Sequence, residues 1–536
     1  MNRDFGDFQT PSTLVMAVLE RLYASGKTWS RVLEPTCGRG NFVEGLLKLA
    51  TPPCEIQALE IQEQHLLNVR RLAGYSLSTQ IVVRQANIFD LDIHRHLQWN
   101  TTGPLLVVGN PPWVTNSELG MLNSTNLPQK TNIKKLKGME ARTGESNFDI
   151  AEHIWLKLME ELVEEQPFIA LLCKTAVARN ILQFAFDTNL PVAEAAMYMI
   201  DAKKWFGAAV DACLFCIQIG ADKRVYEAPV YPNLHTTLPT SMLGIVGKQL
   251  VADVQTYTMV SAIDGVCPLV WRQGLKHDAA SVMELNYDTI GKLKNKLGEI
   301  VNVESEYVYP LLKGSDVYHG LDKGLKRTVI VTQKRLGDDT YHLKYHAPQL
   351  WSYLTKHIKV FEQRKSSIYV NQPPFAIFGI GDYSFAPYKV SISGFHKQPR
   401  FRVIGPVEGK PVMLDDTCYF IPCYSVQDAV FLASLLNDSV CIDLINAVAF
   451  LDAKRPITKK LLQRIDLVSL FSLIDKQALL ARANHEFEQL GIASEKDEVV
   501  WPSTIEEFLI GYLHRANYIC ATKDSTGVIE QLRWIS

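Results

Sequence analysis

The chain has 536 residues, 47% of them hydrophobic, with a formal net charge of −2. That length allows two or three cores. No apolar run reaches the roughly 18 residues that a membrane span needs, and the opening Met1-Asn2-Arg3-Asp4-Phe5 lacks the apolar stretch of a secretion signal, so a cytoplasmic protein without membrane contact is expected.

Residues 12–26 predict a helix that Ser12 can cap, with Leu14, Val15, Val18, Leu19 and Leu22 at helical spacing. A short strand at 31–34 runs into the Gly-rich turn Thr36-Cys37-Gly38-Arg39-Gly40, and a helix follows at 42–49. A strand at 56–60 ends in an acid and leads to a helix at 62–72. Further strands are predicted at 81–83, at 105–108 ending at Asn110, at 168–172 and at 212–219. A helix is expected at about 147–165. Alternation of this kind predicts a parallel, doubly wound α/β sheet, and continuously apolar strands fit burial on both faces. From about 229 to 422 prolines, turns and short strands dominate; helical patterns return at 425–437 and 458–490. The expected division is therefore 1–225, with 114–146 as an inserted loop, and 226–536, with a boundary near 225–240.

Ten cysteines are scattered, mostly in apolar strings such as Ala212-Cys213-Leu214-Phe215-Cys216, and read as reduced core residues. Cys213 and Cys216 have metal-like spacing, but no second pair answers them, so no metal is expected. Charge is uneven. Between Lys323 and Arg402 stand 14 Lys plus Arg against 4 Asp plus Glu. Such a segment in a near-neutral chain suggests one surface for a polyanion.

The polar residues fall at the ends of successive strands. Gly38-x-Gly40 alone is weak, because tight turns use glycine for backbone reasons. A dinucleotide site would want a third glycine where Val43 stands. Glu60 closes the second strand, where a ribose hydroxyl would lie, and Asn87 follows the third. Ligands bind outside the carboxyl ends of such sheets. Asn110-Pro111-Pro112-Trp113 then follows the fourth strand. Two prolines stiffen the loop and donate nothing. The Asn110 side-chain oxygen and the Pro111 carbonyl can both accept from one NH2 group. Adenine's exocyclic amine is a poor nucleophile because its lone pair is delocalised. Two acceptors favour a pyramidal nitrogen aimed at a methyl donor. Trp113 offers a face for a planar substrate, worth about 1–3 kcal/mol per base.

In this order the motifs resemble those of the γ-class, TaqI-like adenine-N6 DNA methyltransferases of restriction–modification and related phage-defence systems. The resemblance implies a Rossmann-like class I methyltransferase domain with a mostly parallel sheet. A mixed α+β target-recognition domain that binds DNA would follow. It implies S-adenosyl-L-methionine as cofactor. Thr10 and Pro11 match the N-terminal cofactor motif; Glu34, Pro35, Thr36, Gly38 and Gly40 match the turn around the methionine part. Glu60 and Ile61 match the ribose contact, Asn87 and Ile88 the adenine contact, and Asn110 borders the same cofactor. Family members often carry Asp at the position of Asn87, and Tyr or Phe at that of Trp113. Phe206, in Trp205-Phe206-Gly207, resembles a second aromatic that packs on the target base; a core-packing Phe is the alternative. Tyr309-Pro310-Leu311-Leu312-Lys313-Gly314-Ser315-Asp316 and residues 380–390 resemble the TaqI-like C-terminal specificity domain.

Double-stranded DNA is the expected partner, with the target adenine flipped out of the stack at a cost of a few kcal/mol. Phosphate contacts would supply that energy. Lys389, Lys397, Arg400 and Arg402 are the preferred candidates, each of which can equally be a solvated basic residue. Lys134 and Lys135, in the polar and basic stretch after Trp113, are further candidates if that stretch closes over DNA rather than being a passive insertion. Methylation of an RNA adenine or a protein glutamine amide fits the same tetrapeptide. HemK-like glutamine methyltransferases, however, carry a helical domain before the Gly-rich turn. A DNA-binding subunit of a defence complex is the reading from another class. Only nine residues precede Thr10, so a restriction endonuclease or defence subunit, where there is one, is expected on a separate chain.

Overall fold

The computed structural model describes residues 9–114, 149–220, 223–320, 327–490 and 500–521. The chain divides into two compact units, 1–255 and 256–536.

The first unit is built on one ten-stranded sheet. Helix α1 (Ser12–Tyr23) precedes β1 (Arg31–Glu34), α2 (Asn41–Leu47), β2 (Glu55–Glu60), α3 (Glu63–Tyr75), β3 (Gln80–Gln85) and a short α4 (Ile93–His96). Then come β4 (Leu105–Gly109), α5 (Ile150–Glu161), β5 (Phe168–Lys174), α6 (Thr175–Asp187), β6 (Val192–Ile200), α7 (Ala202–Phe206) and β7 (Ala212–Ile219). Strands β8 (Glu227–Tyr231), β9 (Ser241–Val246) and β10 (Gln249–Val251) complete it. The strand order is β10-β9-β8-β6-β7-β5-β4-β1-β2-β3. Strands β3, β2, β1, β4 and β5 run parallel, while β7 is antiparallel to both β5 and β6. This is a mostly parallel, Rossmann-like α/β sheet. The order in which strands are added reverses between β1 and β4, so the crevice of the fold opens beyond their carboxyl ends.

Apolar residues put these elements where they are. Every residue of β2 and β4 is buried, which is what strands covered on both faces require. Helix α1 buries Leu14, Val15, Val18, Leu19 and Leu22, the stripe that its sequence spacing predicts. Ser12 does not cap it, contrary to expectation. Pro11 is the cap residue, with an extended backbone, and its carbonyl accepts from Leu14 and Val15. Cys213 and Cys216 are buried in β7, and their odd spacing turns them to opposite faces of the strand.

The textural change near 225 does not coincide with the division of the chain. Strand β8 pairs with β6 through Met197↔Val230 and Tyr198↔Tyr231, and β9 and β10 continue the same sheet. The shift in composition marks edge strands of the first core, and the second unit begins after them.

The second unit, described by itself, is mixed α+β. Its strands are β11 (Arg272–Gln273), β12 (Glu284–Tyr287), β13 (Leu293–Asn295), β14 (Val308–Leu312), β15 (Arg327–Ile330), β16 (Tyr388–Ser393), β17 (Arg402–Ile404), β18 (Met413–Leu414) and β19 (Cys418–Cys423). They form a five-stranded sheet, β13-β12-β15-β14-β18, and a four-stranded sheet, β11-β19-β16-β17. Helices follow as α8 (Val426–Leu436), α9 (Ser439–Val448), α10 (Lys459–Leu462), α11 (Leu467–Leu473), α12 (Lys476–Gln489) and α13 (Ile505–Ala521). The helical patterns expected at 458–490 form three helices, and Asp466 and Asp475 each accept backbone N–H groups at the start of the second and third.

Candidate active site

A cleft enclosing about 810 Å³, open solvent included, lies beyond the carboxyl ends of β1, β2, β3 and β4. Thr10, Glu34, Pro35, Thr36, Gly38, Glu60, Ile61, Asn87, Ile88, Asn110 and Pro112 all line it, so the separate sequence signals converge on one place.

The Gly-rich turn is shaped by its backbone. Gly38 and Gly40 have φ of +51° and +81°, the left-handed region that side chains disfavour. A Cβ on Gly40 would also sit 2.8 Å from a Val69 methyl group, so glycine lets the turn lie against α3. The Glu60 carboxylate braces the turn, accepting from the N–H of Gly38 (2.8 Å) and of Gln62 (2.9 Å). The Asn41 amide donates to the Thr10 carbonyl (2.7 Å), tying the strand that enters α1 to the start of α2. Gln9, not singled out in the sequence, also lines the cleft and accepts from the Arg39 N–H.

Glu34 is the least comfortable group. It is 2% exposed. Burial pushes its carboxyl well above the usual carboxylate range, and neighbouring Glu60 acts in the same sense. A backbone hydrogen bond with Val43 opposes both. Among the described residues its buried Oε2 has no hydrogen-bond partner, nor has the Thr36 hydroxyl. Two orphaned acceptors in a cleft wall suit a ligand that brings its own donors, above all an ammonium.

Asn87 is held differently. Its side-chain oxygen accepts from the Phe89 N–H (3.1 Å) and its amide donates to Asp90 (2.9 Å), so it closes its own turn. That turn brings Phe89 into the cleft, an aromatic the sequence reading passed over. Phe89 lies edge-on to His153, with ring centroids 5.1 Å apart. Burial lowers the His153 imidazole to about 4, leaving it neutral at pH 7. The signal was an aromatic two residues after the polar one at a strand end.

Within the tetrapeptide, Asn110 and Pro112 line the cleft and Trp113 turns away. Trp113 is 6% exposed; its indole N–H donates to the Leu172 carbonyl on β5 (3.2 Å) and its ring meets Phe206 edge-on at 5.0 Å. The two aromatics named from sequence are thus in contact with each other. The Ile150 N–H donates to the Val114 carbonyl (3.0 Å), and α5 supplies Ile150 and Ile154 to the cleft wall. Asp149 caps that helix and pairs with Lys174 at the end of β5 (2.8 Å). Most of the inserted stretch at 114–146, with Lys134 and Lys135, lies outside the described residues.

The basic candidates divide. Lys397 and Arg400 are exposed, and Arg402 is half-buried with its guanidinium on the Tyr318 carbonyl (3.3 Å). Lys389 is a correction. It is 1% exposed, its ammonium donates inward to the Ala386 carbonyl (2.8 Å), and burial lowers it to about 7. An ammonium inside the second unit is not available to a phosphate. Among the described residues no group of three or more His, Cys, Asp or Glu is placed to hold a metal ion, and no helix is long and apolar enough to cross a membrane.

No family model matches the chain. In fold it is similar to the Type IIL restriction-modification enzyme MmeI, solved in complex with DNA. The TM-score is 0.50 at 12% identity, covering 99% of this chain and 75% of that one. In sequence it is similar to the Type II methyltransferase M.NspV of Nostoc sp. The two are 37% identical over 479 residues, 88% of this chain and 98% of the relative. Likeness at that level along nearly the whole of both chains shows the family: this chain belongs to the Type II methyltransferases.

Proposed function

We propose that this chain is a restriction–modification DNA methyltransferase that transfers a methyl group from S-adenosyl-L-methionine to N6 of a flipped adenine. The first unit would be the catalytic one, and the second would hold the target sequence. The observation that carries the reading is the convergence of Asn110 and Pro112 with Glu34, Glu60 and Asn87 on one cleft. The relative is named a Type II methyltransferase, and the structure similar in fold is a restriction-modification enzyme in complex with DNA.

The residues present fit the cofactor. Glu34 Oε2 and the Thr36 hydroxyl would receive its ammonium, since both are buried without partners among the described residues. The Glu60 carboxylate would receive the ribose hydroxyls through lone pairs left over from the Gly38 and Gln62 N–H groups. Asn87, Ile88 and Phe89 would hold the adenine, Phe89 by its ring. When bound, the cofactor supplies an electrophilic methyl group on a sulfonium. Asn110 Oδ1 and the Pro111 carbonyl would accept the two N–H bonds of the target amine and aim its lone pair. Trp113, locked against β5 and Phe206, would fix the loop that carries those acceptors.

The test is direct sequencing of adenine methylation in DNA from a methylation-free host expressing the chain, beside an Asn110→Ala control. Adenine methylation at one defined sequence, lost in the control, is expected; in purified form the variant should lose at least about a hundredfold in kcat while still binding cofactor. Identical patterns in both, or no modification in either, would overturn the assignment. In the latter case RNA and protein glutamine are the next substrates to assay.

A further inference from the structure

The second unit carries a strained turn that neither the cleft nor the basic candidates use. A short 3-10 helix, Ser367–Tyr369, leads into Val370-Asn371-Gln372-Pro373-Pro374-Phe375. Asn371 and Phe375 have φ of +61° and +62°. Asparagine tolerates that region, but for a bulky residue such as phenylalanine it is costly. The fold overrides the cost with dedicated braces. The Phe375 ring is 2% exposed and lies between Trp351 and Phe361, with centroids 5.5 and 4.9 Å away. The buried Thr332 hydroxyl donates to the Phe375 carbonyl (2.8 Å), and the buried Thr340 hydroxyl donates to that of Pro374. Gln333, also buried, accepts from the Ile377 N–H (3.1 Å). The Arg364 guanidinium donates to the Ala376 carbonyl (2.8 Å) and lies 3.7 Å from the centre of the Tyr369 ring.

This machinery holds one thing toward solvent. Val370 is 64% exposed, Asn371 is exposed and Gln372 is half-buried. The Asn371 and Gln372 side-chain amides make no hydrogen bond among the described residues, and Lys365 is exposed on the same segment. Backbone strain that the surroundings over-determine is a mark of function. A carboxamide matches the N6–H and N7 of adenine in the major groove, and an exposed apolar side chain matches the thymine methyl.

Resting on the functional reading above, we infer that the Val370–Gln372 tip is a base-reading element that selects an A·T pair in the target duplex through the major groove. The amides of Asn371 and Gln372 would engage adenine, and Val370 the thymine methyl group. Lys365 would meet a phosphate beside it, which positions without specifying.

The test uses the full chain on a plasmid library with a randomised target region, reading adenine methylation by sequencing. Asn371→Gly removes one amide yet keeps the left-handed backbone that glycine accepts; combined with Gln372→Ala it removes both. The double variant should keep the wild-type melting temperature and cofactor affinity. It should lose about tenfold or more of its preference for A·T at one position of the motif, the other positions being unchanged. A wild-type motif that survives the double substitution with undiminished discrimination overturns this inference and leaves the functional reading intact. A wild-type chain that methylates no DNA overturns both.

Discussion

At the residue scale the informative groups are those kept in an unfavourable state. Glu34 is buried with one oxygen unsatisfied, and its carboxyl is pushed up by that burial. A proton therefore sits on it more readily in the free protein than on an ordinary glutamate. An ammonium beside it favours the ionised form, so cofactor binding should release a proton, and affinity should rise with pH until the raised value is passed. Calorimetry in two buffers of different ionisation enthalpy reads that proton directly. Glu34→Gln should abolish the proton release and weaken cofactor binding by about 10- to 100-fold, the worth of a charge-assisted hydrogen bond. Unchanged proton release in the variant would remove Glu34 from the role. Lys389 is the converse case, a cation whose folded value falls to about 7. Between pH 7 and the unfolded value of 10.5 the unfolded chain holds a proton that the folded chain has lost. Stability should therefore rise with pH across that window through this group and gain nothing from it below pH 7. Lys389→Met should flatten that rise in denaturant titrations at pH 7, 8 and 9.

At the scale of elements, the loop after β4 shows how a local signal becomes a rigid site. The Trp113 indole reaches across to the Leu172 carbonyl of β5 and its ring is buried against Phe206. Trp113→Phe keeps an aromatic six-membered ring but loses the pyrrole half and one hydrogen bond, so it should cost about 1–3 kcal/mol of stability. Trp113→Ala should cost about 3–5 kcal/mol and take activity with it. Equal losses in the two, read from urea midpoints, would mean that the ring packing contributes nothing. These elements also mark what the sequence made legible. Strands β1 and β2 end in the acids Glu34 and Glu60, and the wholly apolar β4 runs out at Asn110, so a polar residue closes each short strand, and that pattern is local. The partners of Trp113 are not local: Leu172 lies 59 residues away, and no spacing rule joins them. That β8 to β10 belong to the first sheet is not legible in the sequence for a related reason. An edge strand is recognised by what it pairs with, and Met197↔Val230 is a contact that composition does not encode. The breaks within 458–490 are readable in the sequence, since Asp466 and Asp475 are good cap residues.

At the scale of the whole molecule, charge is the property that sequence counted well and placed badly. The excess of positive charge between Lys323 and Arg402 is real, yet part of it is already paired or buried. Arg327 pairs with Asp316, Arg335 with Asp382 and Lys356 with Glu299, while Lys389 is buried. The charges left to a polyanion are fewer than the count, and Lys397 and Arg400 are exposed among them. On the proposed function, a chain of net charge −2 would attract DNA through such local cations, because the molecule as a whole would repel it. Each phosphate contact releases about one counterion, so the slope of log affinity against log salt counts contacts. Lys397→Ala with Arg400→Ala should weaken binding on every duplex sequence and reduce that slope by about two. Lys389→Met should leave the slope unchanged, since its ammonium faces the Ala386 carbonyl. The two measurements separate charge that is merely present in the sequence from charge that the fold delivers to the surface. A slope that falls for Lys389→Met and holds for the Lys397 and Arg400 pair would reverse the assignment.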